Sequence, residues 1–183
     1  MDRKEFVKLG CCAFAFMTTQ SLDAEDKPQA CDPNELTFIK NWVTDLMDTI
    51  DAEPDEATRI RLMSGCGRGC FKRFKFKQEI AAKGKGDVSK LVDALKQNFE
   101  VWREGPNGEM VHIRYGAINT NGCYCPAAKF RPGRKNDTHC YCTRAMHETI
   151  WETALGHPVK IDILQTVRRG DPTCHFLVDL KQG

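Results

Sequence analysis

Near residue 100 the spacing of apolar residues switches from every third or fourth position to every second. That switch commits the chain to a helical half followed by a strand-bearing half. Upstream, Leu36, Ile39, Val43, Leu46, Met47 and Ile50 form one helical stripe. It opens on Asp32 as N-cap, Pro33 in the first turn and Glu35 as the returning capping partner. A second helix is predicted from Pro54 to Met63. Ser64-Gly65-Cys66-Gly67-Arg68-Gly69-Cys70 is expected to end it, because a glycine-rich stretch makes a poor helix interior. Phe71, Phe74 and Ile80 continue as a third helix, in which the basic run Lys72-Arg73-Phe74-Lys75-Phe76-Lys77 turns its charges to water. Lys83-Gly84-Lys85-Gly86 breaks that helix. Asp87 then caps a fourth, carrying Val88, Leu91, Val92, Leu95 and Phe99.

Downstream, Gly105-Pro106-Asn107-Gly108 is a turn, and Val111, Ile113 and Tyr115 alternate with His112 and Arg114. Residues 119–142 are rich in Gly, Pro, Asn and Cys and too long for an ordinary connector, and such a loop is usually functional or pinned; the cysteines are the obvious pins. Thr143 can cap a helix through Met146, Ile150 and Leu155 that stops at Gly156. Val159, Ile161 and Ile163, the turn Arg169-Gly170-Asp171-Pro172, and Cys174, Phe176, Val178 and Leu180 then read as a hairpin. The expected fold is α+β: a helical N-terminal half packed on a small antiparallel sheet with a closing C-terminal β-hairpin.

At 183 residues the chain holds one sizeable core. Its net charge of +2 argues against a nucleic-acid partner, and the sequence has no apolar run long enough to span a membrane. At the N-terminus, basic residues precede the apolar run Cys11-Cys12-Ala13-Phe14-Ala15-Phe16-Met17, followed by polar residues and a small-residue exit near Ala24. That order predicts a secretory signal over residues 1–24, a linker over 25–31 and one domain over 32–183, with the protein exported to a periplasmic or other extracytoplasmic space. Arg3-Lys4-x-Phe6-Val7-Lys8 resembles a twin-arginine signal, with lysine in place of the second arginine.

Cleavage there leaves eight of the ten cysteines: Cys31, Cys66, Cys70, Cys123, Cys125, Cys140, Cys142 and Cys174. Two C-x-C pairs, Cys123/Cys125 and Cys140/Cys142, suit a tetrahedral zinc or an iron–sulfur cluster, because soft cations select sulfur ligands. Crossed disulfides and redox-active thiols are the alternatives. Cys66 and Cys70, with Arg68 between them on a glycine-rich turn near a helix N-terminus, can complete that centre or make an anion-binding or activated-thiol site; a disulfide between them is the plain alternative. Cys174 falls in phase with the apolar face of its strand, and His175 points the other way. His139, His147 and His175 are candidate ligands or proton carriers. The sequence has no C-x-x-C-H, H-E-x-x-H, G-x-S-x-G or P-loop motif.

Glu148-Thr149-Ile150-Trp151, Leu155-Gly156, Val159-Lys160-Ile161 and Arg169-Gly170-Asp171-Pro172-Thr173-Cys174-His175-Phe176 resemble the closing segment of the 4-vinyl-reductase-type ligand-binding domains. The segment is similar, too, in the related L-2-amino-thiazoline-4-carboxylate hydrolase-like proteins. The resemblance implies a small ligand held in an apolar pocket, with cysteine or metal chemistry near its mouth. It carries over to Gly170, Asp171, Cys174 and Phe176, and the C-x-C pairs, Cys66 and Cys70 fall outside it.

The expectation is therefore an exported small-molecule-binding domain with a cysteine-ligated metal or redox centre. Cys66, Cys70, Cys123, Cys125, Cys140 and Cys142 are the metal candidates, and Arg68, Cys174 and Phe176 are the ligand-binding candidates. A hydrolase using Cys174, Cys70 or a metal with His147 or His175, and a disulfide-stapled structural domain, are the alternatives.

Overall fold

The alternating residues of the second half pair into a four-stranded antiparallel sheet in the order β1-β2-β4-β3. Its strands are β1 (Glu100–Glu104), β2 (Met110–Arg114), β3 (Lys160–Gln165) and β4 (His175–Asp179). Register places Val101, Ile113, Phe176 and Ile163 in one row across the sheet, and Val111, Val178 and Ile161 in the next. A period of two puts both rows on one face, which is the face the helices cover. The β1–β2 hairpin turns on Gly105 and Gly108, both at positive φ. β1 has no counterpart in the sequence expectations, since its Glu-Val-Trp-Arg-Glu offers a single core residue, Val101.

The structure is a computed structural model that describes residues 32–115, 123, 125 and 131–181. The signal and linker expected over residues 1–31, Cys31 included, lie outside the described residues. Five α-helices are described: α1 (Pro33–Ala52), α2 (Glu56–Arg73), α3 (Lys75–Lys83), α4 (Val88–Lys96) and α5 (Cys140–Leu155). The chain divides into two compact units, one ending at Asp45 and the other running from Leu46. The first is described only as the N-terminal part of α1, where the Asp32 carboxylate accepts from the Asn34 amide at 2.8 Å. The second holds the sheet, the remaining helices and the core. Of the α1 stripe within it, Met47 is buried and Leu46 is exposed.

Core packing follows the amphipathic spacings. Leu91, Val92, Ala94 and Leu95 of α4, and Met146, Ile150, Trp151 and Ala154 of α5, are buried with the two sheet rows in one cluster, joined by Phe71, Ile80 and Ala81. Asp87 caps α4 as expected, accepting from the Lys90 amide at 3.0 Å, and Gly156 ends α5 in the left-handed region. Among the described residues no helix is long and apolar enough to cross a membrane.

Three expectations are corrected. The glycine-rich stretch does not end the second helix: α2 is capped by Asp55 and runs unbroken through Ser64–Cys70 to Arg73. The basic run is not one helix with its charges in water. It spans a break at Phe74, which is extended (φ −111°, ψ 105°), so Lys77 turns inward and is buried while Phe74 and Phe76 are exposed. Finally, α5 starts at Cys140 rather than after Thr143, because the preceding segment is already anchored when the helix begins.

Candidate thiol site

Gly67 explains why α2 continues through its glycines. A Cβ at this position would lie 2.3 Å from the Cys142 carbonyl oxygen and 2.8 Å from Ala145 Cβ, so the residue is glycine to let α2 and α5 touch backbone to backbone. Cys66 and Cys70 flank that contact one helical turn apart and so share a side of α2. Both therefore sit on a helix rather than on a tight turn, and Cys70 lies in the last turns of α2, not near its N-terminus.

On α5, Cys140 and Cys142 are two residues apart, about 200° around the helix, and cannot share a side. Burial pushes the Cys142 thiol up to about 12, and Cys125, Cys70 and Cys66 stand near enough that charge on them raises it further. Burial likewise pushes Cys140 up to about 12; its sulfur is hydrogen-bonded with Thr166, and its sulfur neighbours are Cys174 and Cys123. The C-x-C pairs are thus divided, with Cys142 toward Cys125, Cys70 and Cys66, and Cys140 toward Cys174 and Cys123. Cys123 also stands near Cys125, and burial raises its thiol, as it raises that of Cys174. All seven described cysteines are free thiols. As they stand, no group of three or more His, Cys, Asp or Glu among the described residues is arranged to hold a metal ion.

The start of α5 is fixed by buried charge. Asp137 is fully buried, and its Oδ2 accepts from Arg168 Nε at 2.8 Å and pairs with Arg168 Nη2 at 2.6 Å. Arg131 Nη1 pairs with Asp48 at 2.8 Å and Asp51 at 2.6 Å, both on α1, and Nη2 lies 3.5 Å from Asp137. The Thr138 amide and hydroxyl donate to Asp51 at 3.2 and 2.5 Å, and the His139 amide donates to Asp137 at 2.9 Å. In the described part of the long loop the pins are therefore ion pairs rather than cysteines, and this network carried no sequence signal.

Beside the thiols lies an aromatic group. The Tyr115 hydroxyl is 3.1 Å from His147 Nε2, and Phe99 and Phe176 pack on the imidazole. Burial, then the Lys77 charge, hold His147 down at about 3, so it is a neutral imidazole whose Nδ1 has no hydrogen-bond partner among the described residues. Burial raises the Tyr115 hydroxyl well above its ordinary value, and charge on Cys174, Cys123, Cys70 and Cys125 would raise it further. Those four cysteines thus lie within electrostatic range of Tyr115.

Cys174 is buried and Phe176 is a core residue, while Arg68 is exposed on α2. Gly170 ends a short 3-10 turn (Val167–Arg169) at φ 101°, and Asp171 Oδ2 accepts from the Thr166 amide at 2.7 Å. His175 does point away from the core, lying 2.9 Å from His112 with Trp102 stacked on His112. A cleft of about 470 Å³ is lined by Phe71, Lys72, Gln78, Ala81, Ala82, Lys85 and Thr153, none of them an expected ligand residue.

The fold and the buried thiols define a cysteine-rich α+β domain. The chain belongs to a family described as "Family of unknown function (DUF6144)", whose profile matches residues 25–182. No curated protein matches it.

Proposed function

We propose that this is an exported binding module in which Cys66, Cys70, Cys125 and Cys142 hold a soft cation, zinc or the iron of an iron–sulfur cluster. The observation that carries the reading is the environment of Cys142, a buried thiol on α5 with three further sulfurs close enough to raise it. Cys142, a buried neutral thiol, resists ionising alone, and a thiophilic cation relieves that resistance by replacing its proton. Side-chain rotation has to close the four sulfurs on the ion. The cleft beside Cys70, with apolar walls and Lys72 and Lys85 in its lining, suits a small anionic molecule. Of the pairings open to the hydrolase reading, burial disfavours Cys174 with His147, since the first is held as a thiol and the second is too weak a base to activate it.

The test is titration of the reduced, metal-free full chain with Co(II) under anaerobic conditions, followed by displacement with zinc. One equivalent is expected to give sulfur-to-cobalt charge-transfer absorption and tetrahedral d–d bands, with protons released on binding. Cys142→Ser should lose the signal, and Cys140→Ser should keep it. No stoichiometric uptake, or a wild-type spectrum in Cys142→Ser, would overturn the reading.

A further inference from the structure

Lys77 is 9% exposed, and among the described residues no carboxylate pairs with it. A buried ammonium normally requires such a partner. Its Nζ instead lies over the rings of Phe74 and Phe76, at 4.6 and 5.5 Å, and donates to Cys70 Sγ at 2.8 Å. The extended residue Phe74 sets up this contact by turning α3 back, so that a lysine seven positions on meets the thiol in the last turns of α2. Cys140 and Cys174 are the more buried cysteines, but among the described residues the half-buried Cys70 is the one whose sulfur is in hydrogen-bond contact with an amine.

We propose that Cys70 and Lys77 are an oxidative modification site, joined under peroxide by a single oxygen as Sγ–O–Nζ. At 2.8 Å the two atoms already stand about as far apart as one bridging oxygen holds them, whereas a direct S–N bond would require them to close much further. The chemistry balances with hydrogen peroxide as the oxidant. One peroxide transfers oxygen to the thiol, giving a sulfenic acid and water. A second transfers oxygen to the lysine amine once it has given its proton to solvent, giving a hydroxylamine and water. The hydroxylamine oxygen then attacks the sulfenic sulfur: the new S–O bond forms, the old S–OH bond breaks, and the hydroxyl leaves with the hydroxylamine proton as a third water. Two electrons have left sulfur and two have left nitrogen. Two equivalents of a dithiol reverse the bridge, supplying the four electrons and four protons that return the thiol and the amine and release the oxygen as water. The bridge would lock the α2–α3 junction and withdraw one sulfur from the group around Cys142. Only that consequence rests on the metal reading, since the bridge itself needs no cation.

The experiment treats the reduced, metal-free full chain with hydrogen peroxide, digests it with trypsin and maps it by high-resolution mass spectrometry. The expected product joins the peptides carrying Cys70 and Lys77, with a mass equal to their sum plus one oxygen and less two hydrogens. Dithiothreitol should return the separate peptides, Lys77→Arg and Cys70→Ser should lack the product, and Lys72→Arg should keep it. The proposal is overturned by sulfinic or sulfonic Cys70 beside unmodified Lys77, or by a disulfide from Cys70 to another cysteine as the main product. The wild-type digest decides the matter even where a variant fails to fold, and it stands whether or not cobalt binds.

Discussion

Asp137 carries two arginines on one carboxylate, and the cost of removing it follows from where they sit. Arg168 and Arg131 are both buried, so Asp137→Ala strands guanidinium charge in a dry environment, at a cost of roughly 3–5 kcal/mol. Urea unfolding is expected to show that loss, and a change below about 1 kcal/mol would mean water reaches the site and screens it. The exposed pair Glu100–Arg114 is the control: Glu100→Gln should leave the urea midpoint close to that of the wild type. At this scale the sequence was legible where a residue's role depended on its own element. Cys174 could be assigned to the core by counting in twos along β4, and Asp87 to a cap by its place before an apolar stripe. Asp137 gave no such clue, since its partners lie on α1, in the loop and in the 3-10 turn, and no spacing along the chain links them. Lys77 was misjudged because a basic run ordinarily faces water, and only the extended Phe74 turns it inward.

Between elements, close approach outweighs propensity. Three glycines in five residues would end an isolated helix, yet α2 passes through them because Gly67 seats its backbone on α5 and the contact returns more than the glycines cost. Composition shows the propensity and hides the neighbour, so sequence reasoning took a helix-packing site for a turn. Two substitutions separate these roles. Gly67→Ala puts a methyl group against the Cys142 carbonyl and should destabilise the protein by about 1–3 kcal/mol or more, since the opposing atoms are backbone and cannot step aside. Gly65→Ala meets nothing within 4 Å and should stabilise by about 0.5–1 kcal/mol. Thermal melts of both variants check this, and a shift in the same direction for both would contradict it. Gly67→Ala should also weaken cobalt binding, because the same contact brings Cys66 and Cys70 toward Cys142. The strand pattern, by contrast, was readable almost throughout. In β2, β3 and β4 alternation alone places every buried side chain, and only β1, with one core residue, gave too little pattern to read.

For the molecule as a whole, the buried titrating groups confine stability to a window of pH. His147 is held at about 3 by burial and the Lys77 charge, and His139 at about 4 by burial and the Arg168 charge; burial, then His112, also lowers His175. Above pH 7 these imidazoles are neutral both folded and unfolded and contribute no slope. Below about 6.5 the unfolded chain takes up protons that the folded chain refuses, so stability falls with pH. His139 and His147 each subtract ~1.4 kcal/mol per pH unit, until the folded groups themselves titrate. The thiols set the other limit. Cys140 and Cys142 titrate near 9 when exposed and about 12 when buried, so above pH 9 the unfolded chain sheds protons the folded chain keeps, and stability falls again. Urea midpoints of the reduced, metal-free protein should therefore be flat between about pH 7 and 8.5 and decline on both sides, with the acid limb starting well above the carboxylate range. A plateau reaching pH 5 would mean the histidines are hydrated in the folded state. An alkaline limb that persists unchanged in a Cys140→Ala/Cys142→Ala double variant would take the thiols out of the account. Bound cation should change the profile on both sides. It holds the Cys142 group as thiolates in the folded state, so below about pH 9 the unfolded chain binds the extra protons and stability rises with pH more steeply than in the metal-free protein. Above that, Cys142 drops out of the alkaline limb and Cys140 still contributes to it.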